Sequence, residues 1–199
     1  MLRHLAIAST ALALAACATV RHDTPEAQQQ IKKDLGVSSV DGSSEMNWCV
    51  FKYGDDPTCN AQRGAAALTP DGLVLMRVVE GRYTSVRKLT ADEVVCSSVW
   101  QGRDASGYFY AFTDTKAFML VPLAPGKPIN TEFKGKVFDY LHSNGQRSFA
   151  GTDGKFIRKS GKKAYGATSV TVGGNSVAMG TSQELEEIYS PCSTSLKKQ

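Results

Sequence analysis

A β-rich α+β fold, an antiparallel meander sheet or barrel with two or three short helices, is what this 199-residue chain predicts. Three observations carry that expectation. From Trp48 onward, short β-branched and aromatic runs alternate with Gly-, Asp- and Asn-containing turns. Several consecutive runs are joined by short turns, which favours hairpins over parallel crossovers. Only three stretches show helical spacing or a helix start signal, and all are short.

The first helical stretch lies between Thr24 and Gly36. Thr24 suits the N-cap, Pro25 the first helical position and Gly36 the stop. Ala27, Ile31 and Leu35 fall four apart and give a narrow apolar stripe. The helix is expected to dock weakly or stand free. Residues 37–44, VSSVDGSS, then read as flexible linker.

Leu73–Val79 and Tyr83–Leu89 read as a hairpin across Glu80-Gly81-Arg82, and Val94–Trp100 as the next strand. A polar loop at 102–107 follows. Tyr108–Phe112 and Ala117–Val121 form another hairpin around Asp114-Thr115-Lys116. Alternation buries either Phe109 with Ala111, or Tyr108 with Tyr110 and Phe112, unless both sheet faces are covered.

Asn130 to His142 is read as the second helix, capped by Asn130, with Phe133, Val137 and Leu141 on one stripe. Gly135 weakens it by about 1 kcal/mol relative to alanine. Strand signals return at Phe149, Lys155–Arg158 and Ala164–Val172. A Thr152-Asp153-Gly154 turn and a Gly173-Gly174-Asn175 turn divide them, the latter leading to Ser176–Met179. Thr181-Ser182-Gln183-Glu184 fits a capping box, so a third helix is expected over Gln183–Tyr189, ended by Pro191.

The N-terminus has a different character. Arg3 precedes an uncharged run, Leu5–Ala16, that ends in small residues before Cys17. This is the layout of an export signal. Twelve residues of helix reach about 18 Å, short of a hydrocarbon core about 30 Å thick. Leu14-Ala15-Ala16-Cys17 resembles the lipobox of bacterial lipoproteins. The resemblance implies a diacylglyceryl group on the Cys17 thiol, cleavage before Cys17, and a fatty acid such as palmitate on the new amino terminus. Several chains on one residue anchor a protein where a single myristoyl chain binds only marginally. Ala18 follows where an Asp would favour inner-membrane retention. By the same resemblance, the expected address is the outer membrane, facing the periplasm.

The expected organisation is therefore a signal peptide at 1–16, a lipidated tether with one helix at 17–47, and a single β-rich domain at 48–199. Cleavage leaves 183 residues, enough for one domain with a real core. Loss of Arg3 lowers the formal charge from +4 to +3. No nucleic-acid-binding excess exists in that balance.

Four further cysteines remain: Cys49, Cys59, Cys96 and Cys192. An even number in an exported chain points to disulfides. Of three possible pairings, Cys49–Cys59 and Cys96–Cys192 are favoured. The first staples a strand and turn locally, and the second ties the chain's end to its middle. Loop-closure entropy puts them at about 3 and about 4.7 kcal/mol. Zinc is disfavoured, because no C-x₂-C pair or His cluster accompanies them.

No catalytic constellation, cofactor motif or metal-binding spacing is evident. There is no P-loop, no dinucleotide fingerprint and no G-x-S-x-G. His142 lies near Asp139 and Ser143, but adjacent Ser and His side chains diverge, so a nucleophile would have to come from elsewhere. Lys155, Arg158, Lys159, Lys162 and Lys163 form a basic stretch, a candidate contact for anionic envelope polymers or headgroups. Solubilising charge on a hairpin is the plainer account. The expected function is a non-enzymatic interaction or structural module of the envelope, accessory to an assembly or secretion system. Its partners would be the bilayer, through acylated Cys17, and envelope proteins or polymers. The alternative is an envelope hydrolase or small-ligand binder.

Overall fold

The computed structural model describes residues 21–100, 108–151 and 156–192. The signal segment, Cys17, the predicted 102–107 loop, the 152–154 turn and Lys155 lie outside the described residues. The elements are α1 (Pro25–Leu35), β1 (Gly42–Lys52), β2 (Gln62–Thr69), β3 (Gly72–Val79), β4 (Arg82–Leu89), β5 (Cys96–Trp100), β6 (Phe109–Phe112), β7 (Lys116–Leu123), α2 (Thr131–Leu141), β8 (Arg147–Gly151), β9 (Ile157–Val172) and β10 (Asn175–Ile188). The first eight strands form one sheet in the order β4-β3-β2-β1-β7-β6-β5-β8, and β9 and β10 form a separate two-stranded ribbon.

The β-rich α+β expectation holds. The meander is modified at one edge, where β8 pairs in parallel with β5 from Cys96↔Arg147 to Trp100↔Gly151. A parallel neighbour needs a crossover, and α2 lies within the connection from β7 to β8. The sheet is open: among the described residues its end strands β4 and β8 do not pair with each other.

Alternation sorts the side chains onto two covered faces. On one, Met46, Trp48, Ala66, Leu75, Phe109, Ala111, Phe118 and Leu120 pack against Phe133, Val137 and Leu141 of α2. Asn130 starts that helix as expected, its Oδ1 accepting from Phe133 N at 3.0 Å. Its Nδ2 donates to Ser44 Oγ at 3.1 Å, which fixes the helix to β1.

The other face has two coverings. At the β2–β4 end, α1 places Ile31, fully buried, on Ala65, Ala67, Val74, Met76 and Tyr83. The α1 caps are as expected: Thr24 Oγ1 accepts from Ala27 N, and Gly36 closes the helix at φ 66°. The helix is docked. The Asp34 carboxylate accepts from Tyr83 N at 2.8 Å. At the β1–β7–β6–β5 end, the cover is Phe156, Ile157, Ile188 and Cys192, packed on Cys49, Phe51, Cys96, Tyr110 and Phe112. Phe109 with Ala111 and Tyr110 with Phe112 are thus all buried, because both faces are covered, while Tyr108, ahead of β6, is half-buried against the second cover.

Three expectations need correction. The linker read over 37–44 ends early, since β1 begins at Gly42 with Ser43 and Ser44 buried. The body therefore starts before residue 48. Two serines tolerate burial here because each hydroxyl donates to a carbonyl, Ser43 to His22 O and Ser44 to Leu123 O. β2 was not expected at all. Its run Gly64-Ala65-Ala66-Ala67 carries weak strand propensity, but tertiary packing selects it. A Cβ on Gly64 would lie 2.1 Å from Met76 O and 3.1 Å from Trp48 Cη2, so only glycine lets Trp48 cross β2 beside β3.

The third correction concerns the C-terminus. Gln183–Tyr189 is not a helix; β10 runs extended to Ile188, paired with β9 along its length. A seven-residue helix is marginal without packing, whereas the ladder pairs the inward-facing backbone groups of β10 with β9 and sets Glu187 against Arg158 and Glu184 against Lys159.

Candidate functional site

The ribbon is the feature around which function is best sought, and its foot is built first. Both favoured disulfides are present, Cys49–Cys59 and Cys96–Cys192, each with Cα atoms 5.7 Å apart. Cys96 opens β5 and Cys192 follows β10 by four residues, so the second bond clamps the ribbon's C-terminal end to the sheet. Phe156, just before β9, lies 4.2 Å from the Tyr110 ring, centroid to centroid. Backbone bonds complete the joint: Gly54 N donates to Ile188 O, Ile188 N to Asp55 O, and Tyr189 N to Phe156 O, at 2.8–2.9 Å. The Tyr53 hydroxyl, 2.8 Å from Thr113 O, is half-buried, and burial pushes its pKa up.

Beyond the foot the ribbon leaves the body. From Gly161 to Gln183, every residue whose side chain is described is exposed; Tyr165 reaches 81% and Met179 55%. Gly161, at φ 74°, sits where the register shifts between Glu184 and Glu186. This is a bulge that increases local twist, not a hairpin turn. The tip is Gly173-Gly174, both at positive φ, joining Val172↔Asn175.

Of the predicted anion-binding residues, Arg158, Lys159, Lys162 and Lys163 fall on the lower half of β9, where they do not form an uncompensated patch. Arg158 Nε lies 2.8 Å from Glu187 Oε1, and its guanidinium lies over the Tyr189 ring at 5.4 Å. Lys159 Nζ lies 3.2 Å from Glu184 Oε2. Lys163 is the register partner of Glu184. Lys162 follows the bulge. Exposed pairs of this kind contribute about 0–1 kcal/mol each, and they neutralise much of the charge that an anion would need.

His142 occupies a second place of chemical interest. It ends α2, with Nδ1 2.7 Å from Phe138 O and Nε2 2.5 Å from Ser97 Oγ on β5. If Nδ1 holds the proton for the carbonyl, Nε2 accepts from the Ser97 hydroxyl. Its ring stacks on Phe138 at 3.9 Å. The partner hydroxyl is thus Ser97, not the adjacent Ser143, and the orienting group is a carbonyl, not Asp139. The spacing between Ser97 and His142 in the sequence hid the contact, since the sheet brings them together. Ser97 has no exposed surface, so a substrate carbonyl has no approach to Oγ in this structure. The contact satisfies the buried Ser97 hydroxyl and the half-buried imidazole.

His22, expected in the tether, is held by the body. Its Nδ1 lies 2.9 Å from Tyr83 Oη, and its carbonyl accepts from Ser43 Oγ. Burial is the main cause that lowers its pKa, opposed by the nearby charge of Glu45. Among the described residues, no cluster of three or more His, Cys, Asp or Glu side chains is placed to hold a metal ion. No helix of the described residues is long and apolar enough to cross a membrane.

A groove of about 680 Å³ lies between α1 and β4, lined by Gln30, Asp34, Arg82 and Tyr83 among others. Within it the Asp34 carboxylate accepts from Tyr83 N and joins the helix to the strand, and no reactive pair lines it. Comparison with protein-family models and with curated proteins finds no match to this chain.

Proposed function

We propose that the protein is an acylated envelope lipoprotein whose work is mechanical: a rigid body held at a membrane by Cys17 presents the β9–β10 ribbon to its surroundings. The observation that carries this reading is the division of the chain at the foot. A sheet covered on both faces ends in a ribbon clamped by Cys96–Cys192, and from Gly161 to Gln183 every described side chain of that ribbon is exposed. A two-stranded hairpin is at best marginal alone in water. One that extends so far from its support is accounted for by what it meets.

The N-terminal side supports close attachment. The body already holds His22, five residues after Cys17. At most about 3.6 Å per residue leaves a reach of about 18 Å. The expected long tether is thereby reduced to a short strap, and the body sits against the headgroups. The oxidised cysteines suit an exported location.

The experiment is growth with an alkyne palmitate analogue, followed by click detection and fractionation. Label on the wild-type chain, none on Cys17→Ser, and loss of the variant from the membrane fraction are expected. An unlabelled wild-type chain overturns the anchor.

A second reading, an envelope hydrolase, rests on the Ser97–His142 contact. The complete burial of Ser97 weighs against it. Turnover of an activated acyl ester that disappears in Ser97→Ala, with folding intact, would restore it.

A further inference from the structure

We infer that the outer part of the ribbon is a membrane-spanning β-hairpin, and that copies of this chain pair their ribbons edge to edge into a closed transmembrane β-barrel. The inference rests on the envelope reading above and names what the ribbon meets there.

Length comes first. Ala164 to Gln183 is a run of 20 residues without a charged side chain, bounded by Lys162 and Lys163 on one strand and Glu184 on the other. The register divides it evenly, from Ala164↔Gln183 to Val172↔Asn175, nine residues on each strand. Nine residues of strand cover about 30 Å. A tilted transmembrane strand takes about 9–11 residues. The charge-free window thus matches one crossing, and its charged boundary falls on both strands at the same level.

Alternation comes second. Directly opposed residues share a face of a ribbon. Val170 pairs with position 177, a valine, and Thr168 with Met179. The intervening pairs, Ser169↔Ala178 and Thr171↔Ser176, belong to the other face. One face therefore carries the bulky apolar groups of the outer half, while the other is built from hydroxyls and small residues. Apolar-out and polar-in alternation is the pattern of a barrel wall. On both faces every described side chain is exposed, with Val170 at 40% and Met179 at 55% on the apolar one.

Backbone satisfaction decides the assembly. A lone two-stranded ribbon has two open edges, and in hydrocarbon each unpaired N–H and C=O is costly, so only closed barrels cross as strands. Among the described residues no other strand borders β9 or β10. The partner of stated chemistry is therefore another copy, with β9 of one chain beside β10 of the next. Two strands per copy make the barrel even-stranded, and the smallest such barrels have about eight strands, hence at least about four copies.

The foot has the construction that insertion requires. The ribbon's end is bonded to the sheet through Cys96–Cys192, and Tyr165, opposite Ser182 on the hydroxyl-bearing face, stands at the charged boundary. The anchored end at Ser43 and the foot beside Gly54 stand at opposite ends of β1. Both meet one bilayer when β1 lies along the membrane plane.

The test uses full-length acylated protein extracted from membranes and returned to phosphatidylethanolamine–phosphatidylglycerol vesicles. Single Val170→Cys and Thr171→Cys variants carry an environment-sensitive dye. Dye at 170 is expected to be quenched by lipid-borne nitroxide and dye at 171 by aqueous iodide. Chemical crosslinking is expected to give species of four or more copies. Iodide quenching at both positions, or shielding of both from either quencher as on a protein partner, overturns the inference. Val170→Lys is expected to lower the crosslinked assembly at least about tenfold and Thr171→Lys to leave it unchanged. Equal loss in both overturns it. Far-ultraviolet melting of each variant shows the body intact. If palmitate labelling fails, the envelope reading falls first; if labelling succeeds and the quenching does not alternate, only the ribbon inference falls.

Discussion

Removal of each disulfide in turn asks how much of the fold's stability comes from holding the ribbon's foot. Cys96–Cys192 closes a loop with a sequence separation of 96, and Cys49–Cys59 one of 10. Loop-closure entropy assigns about 4.7 kcal/mol to the long bond and about 2.7 kcal/mol to the short one. Cys49 and Cys96 are equally buried, at 1% exposure. Alanine pairs introduce no unpaired hydroxyl at either site, but Cys59 is exposed whereas Cys192 packs on the core, so the long pair also loses some packing. Loop length alone gives a difference of about 2 kcal/mol, and the lost packing at Cys192 adds to it. At about 2–4 °C per kcal/mol for a domain of this size, Cys96→Ala/Cys192→Ala should melt at least about 4–8 °C below Cys49→Ala/Cys59→Ala, and about 9–19 °C below the wild type. Differential scanning calorimetry at one scan rate, on protein shown by mass spectrometry to lack free thiols, is the assay. Equal melting temperatures, or a larger loss from the short bond, would refute the claim that the long bond stabilises the fold chiefly by constraining its unfolded chain.

Glycine substitutions should act with opposite signs. Gly64→Ala places a Cβ against the Met76 carbonyl and should cost about 3 kcal/mol or more, as overpacking against backbone does. Gly135→Ala meets open space in α2 and should gain about 0.5–1 kcal/mol; urea titrations resolve both. His22, whose pKa burial holds below 6.5, binds its proton more readily in the unfolded chain. Stability should accordingly fall as pH drops through 6.5 toward the lowered value. His22→Gln should flatten that part of the pH profile. Ser97→Ala should cost about 1–3 kcal/mol by leaving His142 Nε2 without its donor, with no loss of any acyl-ester turnover.

Much of the fold is legible in local patterns. Thr24, Pro25 and Gly36 bracket α1 and Asn130 caps α2, because caps are short-range hydrogen-bond solutions written in a few residues. The hairpin β3–β4 is legible for the same reason. What escapes is set at long range. Ala65-Ala66-Ala67 becomes a central strand because Trp48 and Met76 need small neighbours. Ser43 and Ser44 look like linker until β1 provides the carbonyls that accept from them. The capping-box residues at 181–184 are outbid by a ladder with β9 that no window of four residues contains. The ribbon itself had a signal: twenty uncharged residues in alternation around Gly173-Gly174. It is visible only when both strands are read together in register. The Ser97–His142 contact had none, since 45 residues separate its members.

Amide hydrogen exchange, followed by mass spectrometry on the acylated protein in detergent-free solution and again in vesicles, tests the division of labour most directly. In solution, peptides covering 164–183 should exchange far faster than those of β1, and in vesicles they should become as slow as β1 while the body is unchanged. A ribbon already protected in solution, or one that exchanges at the same rate with and without lipid, would contradict the account.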